Sequence, residues 1–188
     1  MSRDERIKQA ITDTAKDFSM YINKSLEAIL GGKIIQVEGL VNAQAECFDR
    51  VAGIDMLLVG DGWSKGIAGR RQPGKNWQTF TIRRSIGGSF NTEYKKKRYA
   101  IENGCLYPSI TVHAYMNNYI GAVDFAIAST ADIFECIKDN PGKWVDVRDG
   151  GNGTMYVVEW DYMQQRGMDI RIYHRPYNEN KVYLIERG

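Results

Sequence analysis

The first thirty residues carry an apolar stripe at helical spacing. The apolar side chains recur at steps of three and four, which places them on one side of an α-helix. The stripe consists of Ile7, Ile11, Ala15, Phe18, Ile22, Leu26 and Ile29. Gly31 and Gly32 follow it, and glycines at the end of a helical pattern are typical of a C-terminal cap. The pattern predicts a long N-terminal helix within residues 1–32.

The sequence pattern changes at Gly53 to short apolar runs rich in β-branched and aromatic residues. The sequences GDG and QPGKN separate the runs, and both are typical of turns. We expect strands at residues 54–59, 66–72 and 78–84. The short connections predict that these three strands form an antiparallel meander.

The rest of the chain mixes both kinds of pattern. Residues 107–116 and 121–129 look like strands, and residues 130–142 look like a helix with Thr130 as its N-cap. Strand-like segments separated by glycine-rich turns follow to the C-terminus. The order predicts an α+β fold, a single domain over residues 1–188 with a mixed, largely antiparallel sheet in residues 33–188.

Composition and charge narrow the class of protein only slightly. The chain has 188 residues, of which 43% are hydrophobic, so it can bury a substantial core. A formal net charge of +2 gives no global field that would imply nucleic acid. No run reaches the roughly 18 apolar residues of a membrane span, and the sequence MSRDERIKQA lacks the apolar core that is expected of a secretory signal. We expect a soluble, cytoplasmic protein that does not bind membranes.

The alternation of side chains along a strand sorts the predicted meander into two faces. If Ile54, Ile67, Phe80 and Ile82 form the core side, a polar set gathers on the other side. That set consists of Asp55, Arg70, Gln72, Thr79, Thr81 and Arg83. A carboxylate, an amide, guanidinium groups and hydroxyls suit phosphate chemistry. The alternative is the solvated face of a half-exposed sheet, with Asp55 in an ordinary ion pair with Arg70 or Arg83.

The order helix, GID strand, hairpin and polar strand resembles the core of the PD-(D/E)XK nuclease-like superfamily over roughly residues 36–84. The resemblance implies an acid on the helix, an Asp that opens the second strand and Glu-x-Lys on the third. Asp55 matches the strand aspartate, and Glu46 or Asp49 matches the helix acid. The sequence AGRRQPGK stands where the family has Glu-x-Lys. On this third strand, the resemblance therefore assigns a functional role to Gln72 alone. It implies Mg²⁺ held by Asp55, with Glu46 or Asp49 assisting and Gln72 orienting water.

A second basic element lies in EYKKKRY, where four consecutive cations stand between Tyr94 and Tyr99. The cations are Lys95, Lys96, Lys97 and Arg98. They can neutralise phosphates while the tyrosines stack on bases, and we expect a loop with some helix here. A solvated loop without a ligand is the alternative. His113 and His174 are interpreted as hydrogen-bonded structural histidines.

These observations favour a nucleic-acid or nucleotide phosphate-handling protein with a nuclease-like core, of a size that suits a phage or mobile element. Metal-dependent phosphodiester hydrolysis is the expected reaction if the protein is an enzyme. Arg70 or Arg83 would then neutralise the developing charge, beside Thr81 on the same face. The alternative is a non-catalytic binding protein or an inhibitor that acts through a protein or nucleotide interface.

Overall fold

The computed structural model describes residues 3–37, 48, 52–86, 92–117, 123–140, 145–148, 153–176, 179 and 181–185. The helices in this part of the chain are α1 (Arg3–Asp17), α2 (Asn23–Leu30), α3 (Glu93–Glu102), α4 (Thr130–Asp139) and α5 (Trp160–Gln165), with a π-helical turn at Phe18–Ile22. The strands are β1 (Lys33–Gln36), β2 (Met56–Gly60), β3 (Trp63–Pro73), β4 (Thr79–Ile86), β5 (Ile110–Met116), β6 (Val123–Ser129), β7 (Val145–Arg148), β8 (Gly153–Glu159), β9 (Ile170–Arg175) and β10 (Tyr183–Leu184).

The fold is α+β, with one large mixed sheet and one small sheet. Seven strands form the large sheet in the order β1-β2-β3-β5-β6-β9-β10, and β4-β8-β7 form the small one. Every described pairing is antiparallel except that of β3 with β5, so the sheet is mixed and largely antiparallel as predicted. None of the helices among these residues combines the length and the apolar character of a membrane span.

The single long N-terminal helix of the sequence prediction is replaced by two α-helices. The π-helical turn separates them, and Phe18 and Ile22 within it are buried. A π-helical turn adds a residue to the helical repeat and so changes which side chains face the sheet. α2 ends where Gly31 adopts a φ of 73°, a conformation that glycine takes readily.

The core has two parts, one on each face of the large sheet. On one face, Phe18 and Leu26 pack against Met56, Ile67 and Val112. The other face meets the small sheet together with α4 and α5, and this part of the core centres on large apolar side chains: Phe80, Ile82, Tyr115, Ile133, Val158, Trp160 and Ile172. Ile67 and Phe80 therefore belong to different halves of the core, whereas the sequence prediction placed them on one core side.

The predicted meander was wrong in its third strand. The antiparallel meander is β1-β2-β3, and β4 pairs with β8 in the small sheet. After Pro73, positive φ angles at Gly74 (92°) and Gln78 (55°) turn the chain away from the large sheet. The edge of β3 that β4 was expected to occupy instead pairs with β5 in parallel, from Ile67↔Ile110 to Pro73↔Met116.

α4 begins one residue earlier than expected. Ser129 is its N-cap, and the Ser129 hydroxyl accepts a hydrogen bond from the backbone N–H of Asp132 at 3.4 Å. Thr130 is fully buried and shares a hydrogen bond of 2.8 Å with Thr111 instead of capping the helix.

Candidate functional site

Four predicted site residues meet around one carboxylate that the sequence analysis did not select, Glu93. Arg70 donates from Nη2 to Glu93 Oε2 at 2.9 Å, and Lys97 donates from Nζ to Glu93 Oε1 at 2.9 Å. The backbone N–H of Arg83 also donates to Glu93 Oε2 at 3.0 Å. Arg70 reaches Thr81 as well, with Nη1 to Oγ1 at 2.9 Å. We call these five residues the Glu93 cluster.

The electrostatics of the Glu93 cluster keep its carboxylate ionised. Burial alone would raise the pKa of Glu93, but the charges of Lys97 and Arg70 and the Arg83 N–H outweigh it. The pKa falls from 4.5 to about 2. Lys97 is only 5% exposed at its side chain, against 23% for Glu93 and 25% for Arg70. The cluster ties α3 to β3 and β4, and its hydrogen-bonding groups are largely used within the protein.

Asp55 lies directly before β2, the second strand of the observed meander. Its Oδ2 atom accepts a hydrogen bond of 2.7 Å from the backbone N–H of Gly69 on β3. The Lys97 side chain packs close to Gly53, two residues before Asp55. A Cβ atom added to Gly53 would lie 3.3 Å from the Cε atom of Lys97. The alternative interpretation paired Asp55 with Arg70 or Arg83. In the structure, the Arg70 guanidinium forms an ion pair with Glu93.

Of the acids expected at the Mg²⁺ site, Asp55 is the one that the structure describes. Both oxygens of Glu93 and one oxygen of Asp55 already accept hydrogen bonds from the protein. Mg²⁺ requires several oxygen ligands in near-octahedral geometry. Within the described ranges, no group of three or more His, Cys, Asp or Glu side chains is placed to hold a metal ion. Glu46 and Asp49 lie outside the described residues.

The basic segment is a helix, and its cations do not form one surface. Lys95, Arg98 and Tyr99 are exposed on α3, whereas Lys97 points inward at the Glu93 cluster. Arg98 pairs with Glu102 at 2.8 Å. Lys96 is half-buried. Helical spacing separates consecutive residues onto different faces, which is why the run of four cations is divided.

Tyr94 cannot serve as the base-stacking ring that the sequence predicted. Its ring stacks on Phe134 with centroids 5.4 Å apart and an interplanar angle of 4°. It also contacts Tyr156 at a centroid distance of 4.6 Å. The ring is therefore part of the core. Tyr99, which is 64% exposed, remains accessible.

His113 is buried, and no described residue forms the hydrogen bond to its ring that was predicted. Its residue exposure is 1%, and neither ring nitrogen has a hydrogen-bond partner among the described residues. The ring stacks on Tyr115 at 4.7 Å. Burial lowers the pKa of His113, with a further contribution from Arg70, to about 3. His113 is therefore neutral at physiological pH.

A row of polar residues crosses the large sheet next to the Glu93 cluster and starts at the predicted residue Gln72. Cross-strand pairing places Gln72 beside Tyr115, Tyr115 beside Asp124, and Asp124 beside His174. Tyr183 on β10 is the next residue in the row. Tyr115 is buried and shares a hydrogen bond of 2.8 Å with the Thr79 hydroxyl. The row thus passes from half-buried Gln72 through buried Tyr115 to a partly exposed end.

The exposed end of the row contains a His-Asp pair. Nδ1 of His174 lies 2.6 Å from Oδ1 of Asp124, and the two side chains are 40% and 31% exposed. Oδ2 of Asp124 accepts a hydrogen bond of 2.9 Å from Asn76. A carboxylate at Nδ1 fixes the orientation of an imidazole ring and leaves Nε2 for a ligand. The described residues provide no partner for Nε2 of His174.

The loop between β3 and β4 presents an aromatic ring and a cation beside this pair. Trp77 is 58% exposed, and the Lys75 ammonium lies 4.1 Å from its ring centroid. The backbone around them is anchored: Asn76 Oδ1 accepts from the Gln78 N–H at 2.8 Å, and Gly74 N–H donates to Met116 at 3.0 Å. The loop is therefore held in place although its tryptophan faces solvent.

We call the group Lys75, Asn76, Trp77, Asp124, His174 and Tyr183 the His174 surface. The sequence analysis did not identify this surface. The feature that could have indicated it is Asp124, a charged residue inside an otherwise apolar strand. Glu93 had a signal too, because its spacing of four from Lys97 places both on one face of a helix. Comparison with known proteins matches the chain to no family model, no curated protein and no solved structure.

Proposed function

We propose that this protein binds single-stranded nucleic acid or nucleotides at the His174 surface. The observation that supports this most directly is the anchored loop that holds Trp77 in solvent beside a cation. An exposed aromatic ring on a rigid support stacks on any base, and each stacked base contributes about 1–3 kcal/mol. Lys75 supplies a charge for the adjacent phosphate.

Two more residues support the same ligand. The His174 side chain is 40% exposed and Asp124 holds its Nδ1, so Nε2 is the ring nitrogen that would hydrogen-bond a phosphate oxygen or a base edge. Tyr183, the cross-strand neighbour of His174, is 49% exposed and offers a second ring. Binding of this kind uses stacking, charge and hydrogen bonds, so it does not depend on a magnesium site at Asp55.

Fluorescence anisotropy with labelled single-stranded DNA and RNA tests the proposal over a series of salt concentrations. We expect the affinity to fall as salt rises, because phosphate contacts release counterions. Trp77→Ala should weaken binding about tenfold, the typical effect of losing one stacked base. Trp63→Ala is the matched control, since Trp63 is also exposed but lies on β3, outside the His174 surface.

Three results would overturn the proposal. The first is no binding at low salt, and the second is equal loss of affinity in both tryptophan variants. The third is salt-insensitive binding to a protein, which would assign the exposed rings to a protein interface. Separately, DNA or RNA cleavage with Mg²⁺ that is lost in Asp55→Ala would replace the proposal with the hydrolysis that the resemblance implies.

A further inference from the structure

A groove opens on the opposite face of the large sheet, beside the end of α2. Its volume is about 660 Å³, which lies within the range of roughly 300–1,000 Å³ found for small-molecule sites. Its apolar lining comes from α2 and from the sheet strands β2, β5 and β6. These apolar residues are Ile29, Leu30, Leu58, Ile110, Ile127 and Ala128.

The register of the strands explains why the groove exists. β3 pairs with β5 only from Ile67↔Ile110 onward, whereas its pairing with β2 continues to Gly60↔Trp63. The β2-β3 hairpin therefore extends beyond the start of β5. This overhang forms one wall of the groove, and the start of β9 forms another.

The polar lining of the groove carries an excess of positive charge. Lys65 lies on the hairpin wall and Arg171 on the β9 wall. The carboxylate that also lines the groove, Asp169, is 79% exposed and lies 3.8 Å from Arg171. Such an exposed pair at this distance is weak and leaves Arg171 accessible to a ligand. Two cations against one acid favour an anion.

A hydroxyl group and an aromatic ring complete the lining. The Oγ atom of Ser109 is buried and has no hydrogen-bond partner in the described part of the chain. The protein encloses this oxygen, so the polar groups that face a ligand are the side chains of Lys65 and Arg171. Trp63, at the hairpin end of the groove, is 39% exposed and can cover an aliphatic chain.

We propose that this groove binds a small amphiphilic anion, an aliphatic chain that ends in one carboxylate. The aliphatic chain would lie on the apolar lining between β2 and β6, and the carboxylate would accept hydrogen bonds from the Arg171 guanidinium. Lys65 would add a second attractive charge from the opposite wall. The site lies on the other face from the His174 surface and does not rest on the proposed function.

Three probes with the same chain and different head groups test the proposal: decanoate and decyltrimethylammonium below their micelle concentrations, and decanol below its solubility limit. Isothermal titration calorimetry on the full chain should show saturable decanoate binding. Decanol should bind about fivefold more weakly, the effect of losing one exposed ion pair. The cationic probe should bind more weakly still, because Lys65 and Arg171 repel it.

Charge reversal then locates the site. Arg171→Glu should weaken decanoate binding by more than fivefold and reverse the head-group order, whereas Lys75→Glu, on the opposite face, should leave both unchanged. Both side chains are solvent-accessible, so the fold should tolerate the changes, and circular dichroism checks this. Equal affinity for all three probes, no decanoate binding, or binding unaffected by Arg171→Glu would each overturn the proposal.

Discussion

The Glu93 cluster and the His174 surface occupy the same side of the large sheet but use their polar groups differently. In the Glu93 cluster, one carboxylate inside the protein accepts hydrogen bonds from Arg70, Lys97 and a backbone N–H. At the His174 surface, Asp124 is held from two sides while the His174 ring and Trp77 face solvent.

The difference shows that residue type alone does not mark a binding site. Arg70 and Lys97 have side chains that can bind phosphate, yet both form ion pairs with Glu93. Asp124 is an acid, yet it serves to orient groups that a ligand can reach. A polar group is available for function when the fold fixes it without using all of its hydrogen bonds. The predictions below separate the two regions by that criterion.

The largest expected effect is loss of stability in acid, which arises from the Glu93 cluster and its neighbour His113. The pKa of His113 is about 3 in the folded protein and 6.5 ordinarily, so the unfolded chain takes up a proton first as pH falls. Stability should therefore decrease from pH 6.5 toward pH 3. The pKa of Glu93, about 2 against 4.5 ordinarily, extends the loss below pH 4.5. Together they remove on the order of 5 kcal/mol between pH 7 and pH 3.5.

Urea unfolding at a series of pH values measures this loss and separates its two causes. His113→Leu should flatten the dependence between pH 6.5 and 4.5. Glu93→Gln should make the dependence shallower below pH 4.5, where His113 still contributes down to about pH 3. At pH 7, His113→Leu should cost little, because it removes ring nitrogens that lack partners among the described residues. A marked loss at pH 7 would mean that those nitrogens bind water or another group.

The second effect comes from removing the acid at the centre of the Glu93 cluster. Glu93→Ala leaves Arg70 and the buried Lys97 without their shared counter-charge. Breaking such a pair costs roughly 3 kcal/mol when the charges are largely desolvated. The free energy of unfolding at pH 7 is the measurement.

Glu102→Ala is the control for that variant. Glu102 is also on α3 and also pairs with a cation four residues away, but both side chains are 54% exposed. We expect little change in its free energy of unfolding, since exposed pairs contribute little. Equal losses in the two variants would contradict the idea that the Glu93 cluster is closed and structural.

Much of the fold could be predicted from the alternation of apolar side chains. Strands near 54–59 and 66–72 were expected and correspond to β2 and β3. The placement of β4 could not be predicted, because the residue pattern of a strand does not indicate which neighbouring strand it pairs with. That choice depends on Pro73, Gly74 and Gln78, which turn the chain, and on β5, which occupies the edge of β3.

The candidate site was predictable in its residue types but not in its partners. Arg70, Thr81, Arg83 and Lys97 were selected and do converge, yet the carboxylate that gathers them is 23 residues from Arg70 in sequence. His174 and Asp124 are 50 residues apart. The His174–Asp124 pair arises from the register of β6 against β9, and the Arg70–Glu93 pair from the packing of α3 on β3. Neither arrangement leaves a local pattern in the sequence.

A smaller effect is expected at the His174 surface from Asp124→Asn. The carboxylate accepts hydrogen bonds from both Asn76 and His174, whereas an amide offers one oxygen. One of the two contacts should be lost, at a cost of about 1 kcal/mol. Hydrogen exchange of the Gln78 amide should speed up, because Asn76 loses its anchor. Asp169→Asn, at a side chain 79% exposed, is the control and should change neither quantity.

The smallest effect on stability is expected from Trp77→Ala, and it separates the two regions most clearly. Trp77 is 58% exposed, so little apolar surface is lost from the core when its ring is removed. The change in the free energy of unfolding should stay within about 0.5 kcal/mol, as for most surface substitutions. The same variant should lose about tenfold in affinity for single-stranded nucleic acid. A ring that matters for stability would be packed against the protein and could not also stack on a base, so a loss above about 1 kcal/mol would remove the physical basis for binding at the His174 surface.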